Sequence, residues 1–298
     1  MTGPRTAVIG PGAVGLVVAA ALVEAGSPPL VGARSAFDAV TIDTGAGERT
    51  HPLDVRTDPA TVGGPVDVVF LATKVYQTDA AAGWLRALCG TDTVVAVCQN
   101  GIDQRERLGR YVADDRIAPV VVNLPAERHG PGRVATIDRA AVAVADDAAG
   151  RRVAAALDGS FLTVQLTDDW WSQAWIKLLI NSSTGIIGVL SGAPNGVVAE
   201  PDAAALLRAL IDEAAAVGRA AGAVIPHDIA DRITHRILTG APDHRSSIAT
   251  DRLAGRPTEW EARNKVVVDL ADRHGIEVPL HRAGTTLIRL GEPGIAAS

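Results

Sequence analysis

The 298-residue chain has only two cysteines, and only three of its 28 basic residues are lysines. Cys89 and Cys98 are separated by eight residues with no histidine close by, so they provide neither a disulfide framework nor metal-ligand spacing. We expect both thiols to be reduced, buried and unreactive. The sequence also lacks a run of 18 uncharged apolar residues and a basic segment before an apolar one at its N-terminus. It therefore predicts a cytoplasmic protein without a membrane span, a secretion signal or a metal site.

The net charge of −6 has the wrong sign for a nucleic-acid-binding surface. A hydrophobic fraction of 47% suffices for one large core or two ordinary ones and excludes intrinsic disorder. Because arginine supplies almost all the positive charge, each lysine is a candidate for a chemical role, since burial can make an ammonium group give up a proton. The lysines are Lys74, Lys177 and Lys265, and chance is the better explanation for Lys265.

Strand-like and helix-like runs alternate in the first half of the chain. A short apolar run at 6–9 precedes a glycine-rich turn and a helix over 16–25, and a second helical pattern occupies 77–88. Nearly continuous apolar runs, which are typical of parallel strands covered on both faces, lie at 30–31, 66–71, 93–97 and 117–122. Runs at 134–137 and 141–144 predict an edge hairpin. Residues 1–167 are thus predicted to form an α/β Rossmann-type, doubly wound domain.

The second half of the chain has a different pattern. Amphipathic helical periodicity dominates after Thr167, notably over 171–190, 202–221 and 259–274. Thr258 and Glu261 match a capping box at the start of the last of these helices, and Gly275 suits its end. Residues 168–298 are predicted to form an all-α C-terminal domain. Helix 202–221 could pair two chains in a homodimer, although packing within the domain explains its apolar face equally well.

The first apolar run ends in the glycine-rich turn Gly10-Pro11-Gly12-Ala13-Val14-Gly15. In a G-x-G-x-x-G turn the first glycine permits a tight turn, the second lets the backbone approach a pyrophosphate, and the third lets helix and strand pack closely. The helix N-terminus then faces the phosphates. Since the turn follows a strand and opens a helix, as the motif requires, we expect these six residues to bind a dinucleotide. The alternative is an ordinary strand-to-helix turn.

An NAD-preferring site of this kind carries an acidic residue about 20 positions beyond the glycines. Here the second strand instead runs into Arg34 and Ser35, which would offer a guanidinium and a hydroxyl to the 2′-phosphate of NADPH. The sequence therefore predicts NADPH preference, the alternative being that Arg34 is an exposed loop arginine.

Two further loops follow predicted strands. Lys74 comes after the run 70–73, and Gln99-Asn100-Gly101 follows 94–98. In doubly wound sheets ligands bind outside the carboxyl ends of the strands, so Lys74 and Asn100 are candidate cofactor or substrate contacts. Taken alone, Asn-Gly is ordinary turn chemistry and Lys74 a charge that flanks a helix.

Lys177 and Asn181 lie four residues apart in a strongly apolar helical stretch, so they share one helix face. Burial would lower the pKa of Lys177 and make it a proton donor near neutral pH. An unpaired buried ammonium is unfavourable, and Glu259 is its candidate partner. Spacing alone leaves open whether this pair is catalytic or a structural ion pair.

Together these features resemble the ketopantoate reductase family, the NADPH-dependent 2-dehydropantoate 2-reductases, which combine a Rossmann domain with an all-helical C-terminal domain. The resemblance extends over essentially the whole chain. It rests on an ordered set of motifs: the turn 10–15, Lys74 with Gln77, Gln99-Asn100-Gly101, Trp175-x-Lys177-x-x-x-Asn181, Ser246-Ser247, Thr258-Glu259, His274-Gly275-Ile276 and Val278-Pro279.

The resemblance implies that Lys177 is the general acid that protonates the ketone oxygen, and that Glu259 is the carboxylate beside it, near substrate and cofactor. Hydride would pass from the nicotinamide to the carbonyl carbon while a positioned donor meets the charge that grows on the oxygen. The other implied contacts are Ser247 to the substrate carboxylate, Asn100 and Asn181 to cofactor and substrate, and Lys74 to the nicotinamide and substrate.

Two positions depart from the family pattern. Many members carry a second asparagine four residues beyond the position of Asn181, where this chain has Gly185, and Asn264 is followed by Lys265 where glycine is common. A pocket without its hydroxyl-reading group can accept other substrates. The resemblance implies reduction of ketopantoate to pantoate for pantothenate and CoA biosynthesis, whereas the two departures keep open another 2-oxo acid or a related C=O or C=N substrate.

Two further alternatives remain at this point. One is the β-hydroxyacid dehydrogenase group, which also combines an N-terminal glycine loop with a Lys-x-x-x-Asn helix, and against which Ser247 and Glu259 argue. The other is a non-catalytic protein that senses NADPH, which the predicted proton-transfer groups disfavour.

Overall fold

The computed structural model describes residues 3–137 and 140–293. The chain divides into two compact units, Met1–Trp170 and Trp171–Ser298, which we call the N-terminal and the C-terminal unit.

A six-stranded parallel sheet is the centre of the N-terminal unit. Its strands, in spatial order, are β5 (Asp54–Arg56), β2 (Leu30–Gly32), β1 (Thr6–Ile9), β6 (Val66–Leu71), β7 (Cys89–Val97) and β8 (Ile117–Pro119), and every neighbouring pair is parallel. The chain leaves β1 toward β2 and later returns to β6 on its other side. This is the doubly wound order with its switch point between β1 and β6, which confirms the predicted Rossmann-type fold.

Helices and two smaller sheets complete this unit. The helices are α1 (Ala13–Glu24), α2 (Ala82–Leu88), α3 (Gln104–Leu108) and α4 (Ala148–Leu157). One small sheet has the order β10 (Ala126–Gly130), β11 (Arg133–Thr136), β3 (Ala39–Asp43), β4 (Glu48–Pro52), and the other the order β13 (Thr163–Thr167), β12 (Ala141–Ala145), β9 (Val121–Asn123).

The predicted hairpin of 134–137 with 141–144 is wrong, because the two runs belong to different sheets. β11 pairs with β10 and β3, whereas β12 pairs with β13 and β9. The run 117–122 is likewise divided between two sheets, and only 82–88 of the predicted helix 77–88 is α-helical, after two short 3₁₀ turns. Apolar patterning indicated that these residues were strands, but it carries no information about which strand lies alongside.

The strand β1 is buried along its whole length because the sheet is covered on both faces. Val8 belongs to one apolar cluster with the buried face of α1, while Ala7 and Ile9 belong to a second cluster with Leu85 of α2. Successive strand side chains point to opposite faces, so both layers need apolar residues. This explains why apolar residues follow one another along β1.

The described part of the C-terminal unit is helical, as predicted. Its helices are α5 (Trp170–Ser191), α6 (Pro201–Ala220), α7 (Ile229–Leu238), α8 (Ser247–Leu253), α9 (Val266–His274) and α10 (Pro279–Leu290). A single π-helical turn, Glu261–Lys265, leads into α9. Gly275 ends α9 with φ +66°, the left-handed conformation expected at this position. α5 is long and apolar enough to cross a membrane, but 61% of its most apolar window is buried inside the structure, as in a core helix.

The capping box predicted from Thr258 and Glu261 is wrong. The Thr258 hydroxyl donates to Oε1 of Glu292 at 2.6 Å, and the Thr258 backbone N–H donates to Oε2 of the same carboxylate at 3.0 Å. A carboxylate 34 residues further along the chain therefore binds both groups of Thr258. Sequence spacing identifies only local caps, so this distant partner could not be predicted.

Candidate active site

The glycine turn connects β1 to α1 in a conformation that only glycine adopts readily at its first position. Gly10 has φ +89°, and a Cβ there would lie 2.8 Å from the backbone N of Thr73. A Cβ at Gly15 would lie 2.2 Å from the carbonyl oxygen of Gly10, so helix and strand could not approach as they do. These two glycines are therefore required by the turn itself.

Gly12 differs from its neighbours, since a Cβ built on it meets no atom of the described residues within 4 Å. α1 begins directly after it with neither a side-chain cap nor an acidic residue in its first turn. A helix N-terminus in this state presents backbone N–H groups to an anion, and the absent Gly12 side chain leaves room for a phosphate to approach. The turn 10–15, in which Pro11, Ala13 and Val14 are half-buried, thus fits a dinucleotide pyrophosphate.

The other three candidate positions of the N-terminal unit follow the carboxyl ends of neighbouring strands. Arg34 is exposed beyond β2, Lys74 lies half-buried beyond β6, and Asn100 lies half-buried beyond β7. Lys74 begins a 3₁₀ turn in which its backbone N–H donates to the Gln77 side chain at 3.3 Å. These loops lie at the sheet edge where doubly wound folds bind their ligands.

Gln99 joins two of these loops, whereas the sequence singled it out only as part of the loop 99–101 that carries Asn100. Its side chain is 3% exposed, and Nε2 donates to the hydroxyls of Thr73 and Thr78, each at 3.0 Å. The loop that carries Asn100 is thereby tied to the loop that carries Lys74. On the far side, Arg107 donates to the carbonyl oxygen of Asn100 at 2.9 Å. The sequence feature that could have indicated this role is a polar residue between a buried strand and an Asn-Gly turn.

In the C-terminal unit, Lys177 lies half-buried on α5 with Asn181 one turn further along. Burial is the main reason that the pKa of Lys177 is lowered to about 8, and the positive charges of Arg263 and Arg236 lower it further. Lys177 can therefore exchange a proton near neutral pH, as predicted from its apolar surroundings.

A buried arginine occupies the centre of this region. Arg263 belongs to the π-helical turn and is 2% exposed. Its Nη1 donates to the Ser247 hydroxyl at 2.7 Å, and its Nη2 donates to the carbonyl oxygen of Asn181 at 3.2 Å. The arginine thus brings together two predicted site residues from α8 and α5. Burial lowers its pKa to about 10, against the opposing effect of the carboxylates of Glu259 and Asp251, so it stays charged at neutral pH.

Glu259, the carboxylate predicted beside Lys177, is buried at 6% exposure. Its backbone carbonyl accepts from the N–H of Arg263 at 3.2 Å, and its charge raises the pKa of Arg263. The two charges that lower the pKa of Lys177 are those of Arg263 and Arg236, and both are positive. Sequence reasoning missed Arg263, although its position four residues after Glu259 placed it on the same face of a helical pattern.

Gly185 lies close to Arg263 and to Ile248 of α8. A Cβ at position 185 would lie 3.2 Å from Cγ2 of Ile248 and 4.0 Å from Nη2 of Arg263. Beside it, Asn264 is fully buried and donates through Nδ2 to the carbonyl oxygen of Ser182 at 3.0 Å. Lys265, by contrast, is exposed and bonded to Asp269 at 2.5 Å, an ordinary surface pair.

Two family models match the chain. Residues 6–147 match "Ketopantoate reductase PanE/ApbA", and residues 169–292 match "Ketopantoate reductase PanE/ApbA C terminal". Curated relatives named 2-dehydropantoate 2-reductase are 37% identical in Mycobacterium tuberculosis, covering 97% of this chain and 98% of the relative, and 35% identical in Caulobacter vibrioides, covering 95% and 97%.

Solved structures share the fold. A 2-dehydropantoate 2-reductase from Geobacter metallireducens has a TM-score of 0.90 at 24% identity, covering 96% of this chain and 99% of that one. A dimeric ketopantoate reductase from Staphylococcus aureus has 0.86 at 23%, covering 97% and 98%. The ternary structure of D-mandelate dehydrogenase with NADH and anilino(oxo)acetate has 0.86 at 20%, covering 98% and 99%.

The Rossmann-type unit and the helical unit are each matched by a model of the same family. Together they define an oxidoreductase of two units. The chain belongs to the ketopantoate reductase family.

Proposed function

We propose that this protein reduces the ketone of 2-dehydropantoate to pantoate with NADPH, as a step of pantothenate biosynthesis. The observation that carries the proposal is Lys177, a half-buried lysine with a pKa of about 8, one turn from Asn181 on an apolar helix. The relatives at 35–37% identity, which carry the name of this activity, support the same choice. Perturbed pKa values cluster at functional sites, because a catalytic acid must exchange its proton near the working pH.

NADPH, when bound, supplies the hydride that the carbonyl carbon accepts. The protein must then stabilise the negative charge that develops on the carbonyl oxygen and supply one proton to it. We assign both tasks to the ammonium group of Lys177, which becomes a neutral amine as the hydroxyl forms. Asn181 orients the substrate by its amide, and Glu259 provides the carboxylate of the same site.

The cofactor assignment rests on the turn 10–15 and the three loops beyond β2, β6 and β7. Backbone N–H groups at the start of α1 would hold the pyrophosphate, and Arg34 would pair with the 2′-phosphate of NADPH. Lys74 and Asn100 would hold the nicotinamide end and the substrate. The related D-mandelate dehydrogenase binds NADH, so cofactor preference within this fold depends on individual residues such as Arg34.

A second substrate class is favoured by Gly185 and Arg263. Glycine removes an amide that many family members place there, and a buried guanidinium lies beside it. A site with a guanidinium and without this amide is less suited to binding a substrate hydroxyl group. Another 2-oxo acid, which lacks that hydroxyl, is therefore the alternative substrate.

The test is the initial rate of NADPH oxidation with 2-dehydropantoate, compared with 2-oxo acids that lack its hydroxyl and gem-dimethyl groups. A kcat/KM at least tenfold higher for 2-dehydropantoate supports the first assignment. Equal or higher values for another acid support the alternative. Tight NADPH binding without reduction of any carbonyl compound would contradict both and favour a sensing role.

The predicted cytoplasmic location is compatible with this use of NADPH. A homodimer is a further proposal, supported by the dimeric relative from Staphylococcus aureus, and sedimentation of the purified protein tests it.

A further inference from the structure

Arg263 has an unusual environment for a guanidinium group. It is 2% exposed, yet it stays charged at neutral pH and lies in the same unit as Lys177, whose pKa it lowers. Its Nε has no hydrogen-bond partner among the described residues. A buried charge that is only partly paired is unfavourable for stability, so its presence calls for a functional explanation.

The hydrogen bond to Ser247 determines where the serine hydroxyl can donate. Nη1 of Arg263 donates to Oγ at 2.7 Å, and a guanidinium has donors only. The single hydroxyl proton of Ser247 must therefore point away from Arg263. Ser247 is exposed whereas Arg263 is buried, so a ligand from solvent reaches the hydroxyl before the charge behind it.

Glycine at position 185 leaves room beside this arrangement. A Cβ there would lie 4.0 Å from Nη2 of Arg263, so the next atoms of a longer side chain would reach the guanidinium or Ile248. Residue 185, which departs from the family pattern, therefore lies beside Arg263.

We propose that Arg263 is a positioning residue that directs the Ser247 hydroxyl toward the carboxylate of the substrate and places a positive charge behind it. This inference rests on the proposed function, since it concerns the binding of a 2-oxo acid. Arg263 acts through Ser247: the cation makes the hydroxyl a stronger donor and favours an anionic ligand over a neutral one of the same shape.

The first experiment compares Arg263→Met, which keeps the side-chain length and removes the charge, with the wild type. KM is measured for the preferred 2-oxo acid and for its uncharged methyl ester, both with saturating NADPH. We expect KM for the acid to rise at least tenfold and KM for the ester to change less than twofold. Arg282→Met, at an exposed arginine of α10, removes the same charge and should change neither KM.

The change in KM for the acid relative to the ester, and not the change in stability, separates this role from a structural one. Removing one member of a group of buried opposite charges is destabilising, and Arg263→Met removes the positive charge that the buried carboxylates of Glu259 and Asp251 stabilise, so we expect Tm to fall. Equal rises in KM for acid and ester would show a purely structural effect and would overturn the proposal. Arg263→Lys keeps the charge but not the fork-shaped donor set, and we expect it to restore part of the preference for the acid.

A double-mutant cycle tests the route through Ser247. If Arg263 acts through that hydroxyl, Ser247→Ala and Arg263→Met are non-additive, and the double variant has a KM close to that of the worse single variant. If the two substitutions instead raise KM by factors that multiply in the double variant, Arg263 does not act through Ser247.

Binding distinguishes failure of this inference from failure of the proposed function. If the wild type reduces no 2-oxo acid, titration calorimetry of the NADPH complex with oxamate, a non-reducible carboxylate, still applies. Oxamate binding that Arg263→Met weakens at least tenfold supports the carboxylate site without the reaction. Binding that is absent, or insensitive to Arg263, overturns the inference whichever activity is found.

Discussion

Glu213 and His281 are joined twice. Oε2 of Glu213 accepts the backbone N–H of His281 at 2.9 Å and lies 3.2 Å from Nδ1 of its imidazole ring. The other carboxylate oxygen accepts the N–H of Leu280, so a residue of α6 caps the first turn of α10. Nε2 of His281 lies 3.3 Å from the Ser182 hydroxyl on α5. This network holds three helices around the segment that carries Asn181 and Gly185.

The cap predicts a pH-dependent loss of stability. Burial alone would raise the pKa of Glu213, but the hydrogen bonds from His281 and Leu280 bring it below its usual value. A lowered folded-state pKa contributes stability that is fully present above the ordinary Glu pKa of about 4.3 and is lost as pH falls through the lower value. Glu213→Gln should reduce the free energy of unfolding by about 1–3 kcal/mol at pH 7. Urea denaturation at pH 7 and pH 3.5 checks this, with the exposed Glu277→Gln as control; an equal loss at both pH values would contradict the ionic cap.

Removal of the Lys177 ammonium should affect the chemical step and not cofactor binding. Lys177→Met is expected to lower kcat about 10²- to 10⁴-fold, the usual contribution of a general acid, because the charge it meets develops only in the transition state. NADPH affinity should stay within twofold of the wild type. Steady-state kinetics and fluorescence titration measure the two quantities. Lys265→Met removes a surface lysine paired with Asp269 and is the matched control; wild-type turnover in Lys177→Met would exclude Lys177 from the reaction.

The rate of reduction should depend on pH through the same lysine. A general acid must be protonated, so kcat/KM should be constant below the pKa of about 8 and fall tenfold per pH unit above it. Since the charge of Arg236 on α7 is one cause of the lowered pKa, Arg236→Gln should move this break to higher pH. A profile between pH 6 and 10 for both proteins tests the assignment. Identical break points would show that another group titrates.

In the glycine turn, Gly15 is required by the fold, whereas we expect Gly12 to be required only for binding the cofactor. Gly12 has φ −73° and ψ −165°, which alanine also adopts, and its Cβ would meet no described atom. Gly12→Ala should therefore leave Tm unchanged while NADPH affinity falls at least tenfold. Gly15→Ala would place a Cβ 2.2 Å from a carbonyl oxygen and should destabilise the protein by about 1–3 kcal/mol. Thermal denaturation with and without NADPH distinguishes them, and equal Tm losses would contradict the division.

The choice between NADPH and NADH should depend on Arg34. Charge-assisted hydrogen bonds contribute about 1.5–3 kcal/mol, so Arg34→Ala should weaken NADPH binding about ten- to a hundredfold and leave NADH nearly unchanged. Dissociation constants for both cofactors give the ratio. Arg128→Ala, at another exposed arginine of the same unit, serves as the comparison. An unchanged ratio in Arg34→Ala would reject the predicted contact.

The sequence predicted those elements whose signal is local. β1 with its turn and α1, and the long helices α5 and α6, follow from apolar periodicity and from glycine at positions that need it. The strand partners of β11 and β12 were not predictable, because pairing is decided by distant residues. The role of Glu292 at Thr258 was missed for the same reason. Arginine is usually exposed on a helix, so a buried Arg263 became visible only once α5 and α8 lay beside it.

The π-helical turn Glu261–Lys265 holds one residue more than an α-helical turn of the same height. Without that extra residue, each side chain before the turn would rotate by about 100° relative to α9. Arg263 and Asn264 reach Asn181 and Ser182 on α5 from within this turn. Deletion of a single residue in this turn would therefore redirect the buried guanidinium, although the other side chains of the site stay the same. Insertions and deletions in this helix, and not only substitutions, would thus change which groups the site presents to a substrate.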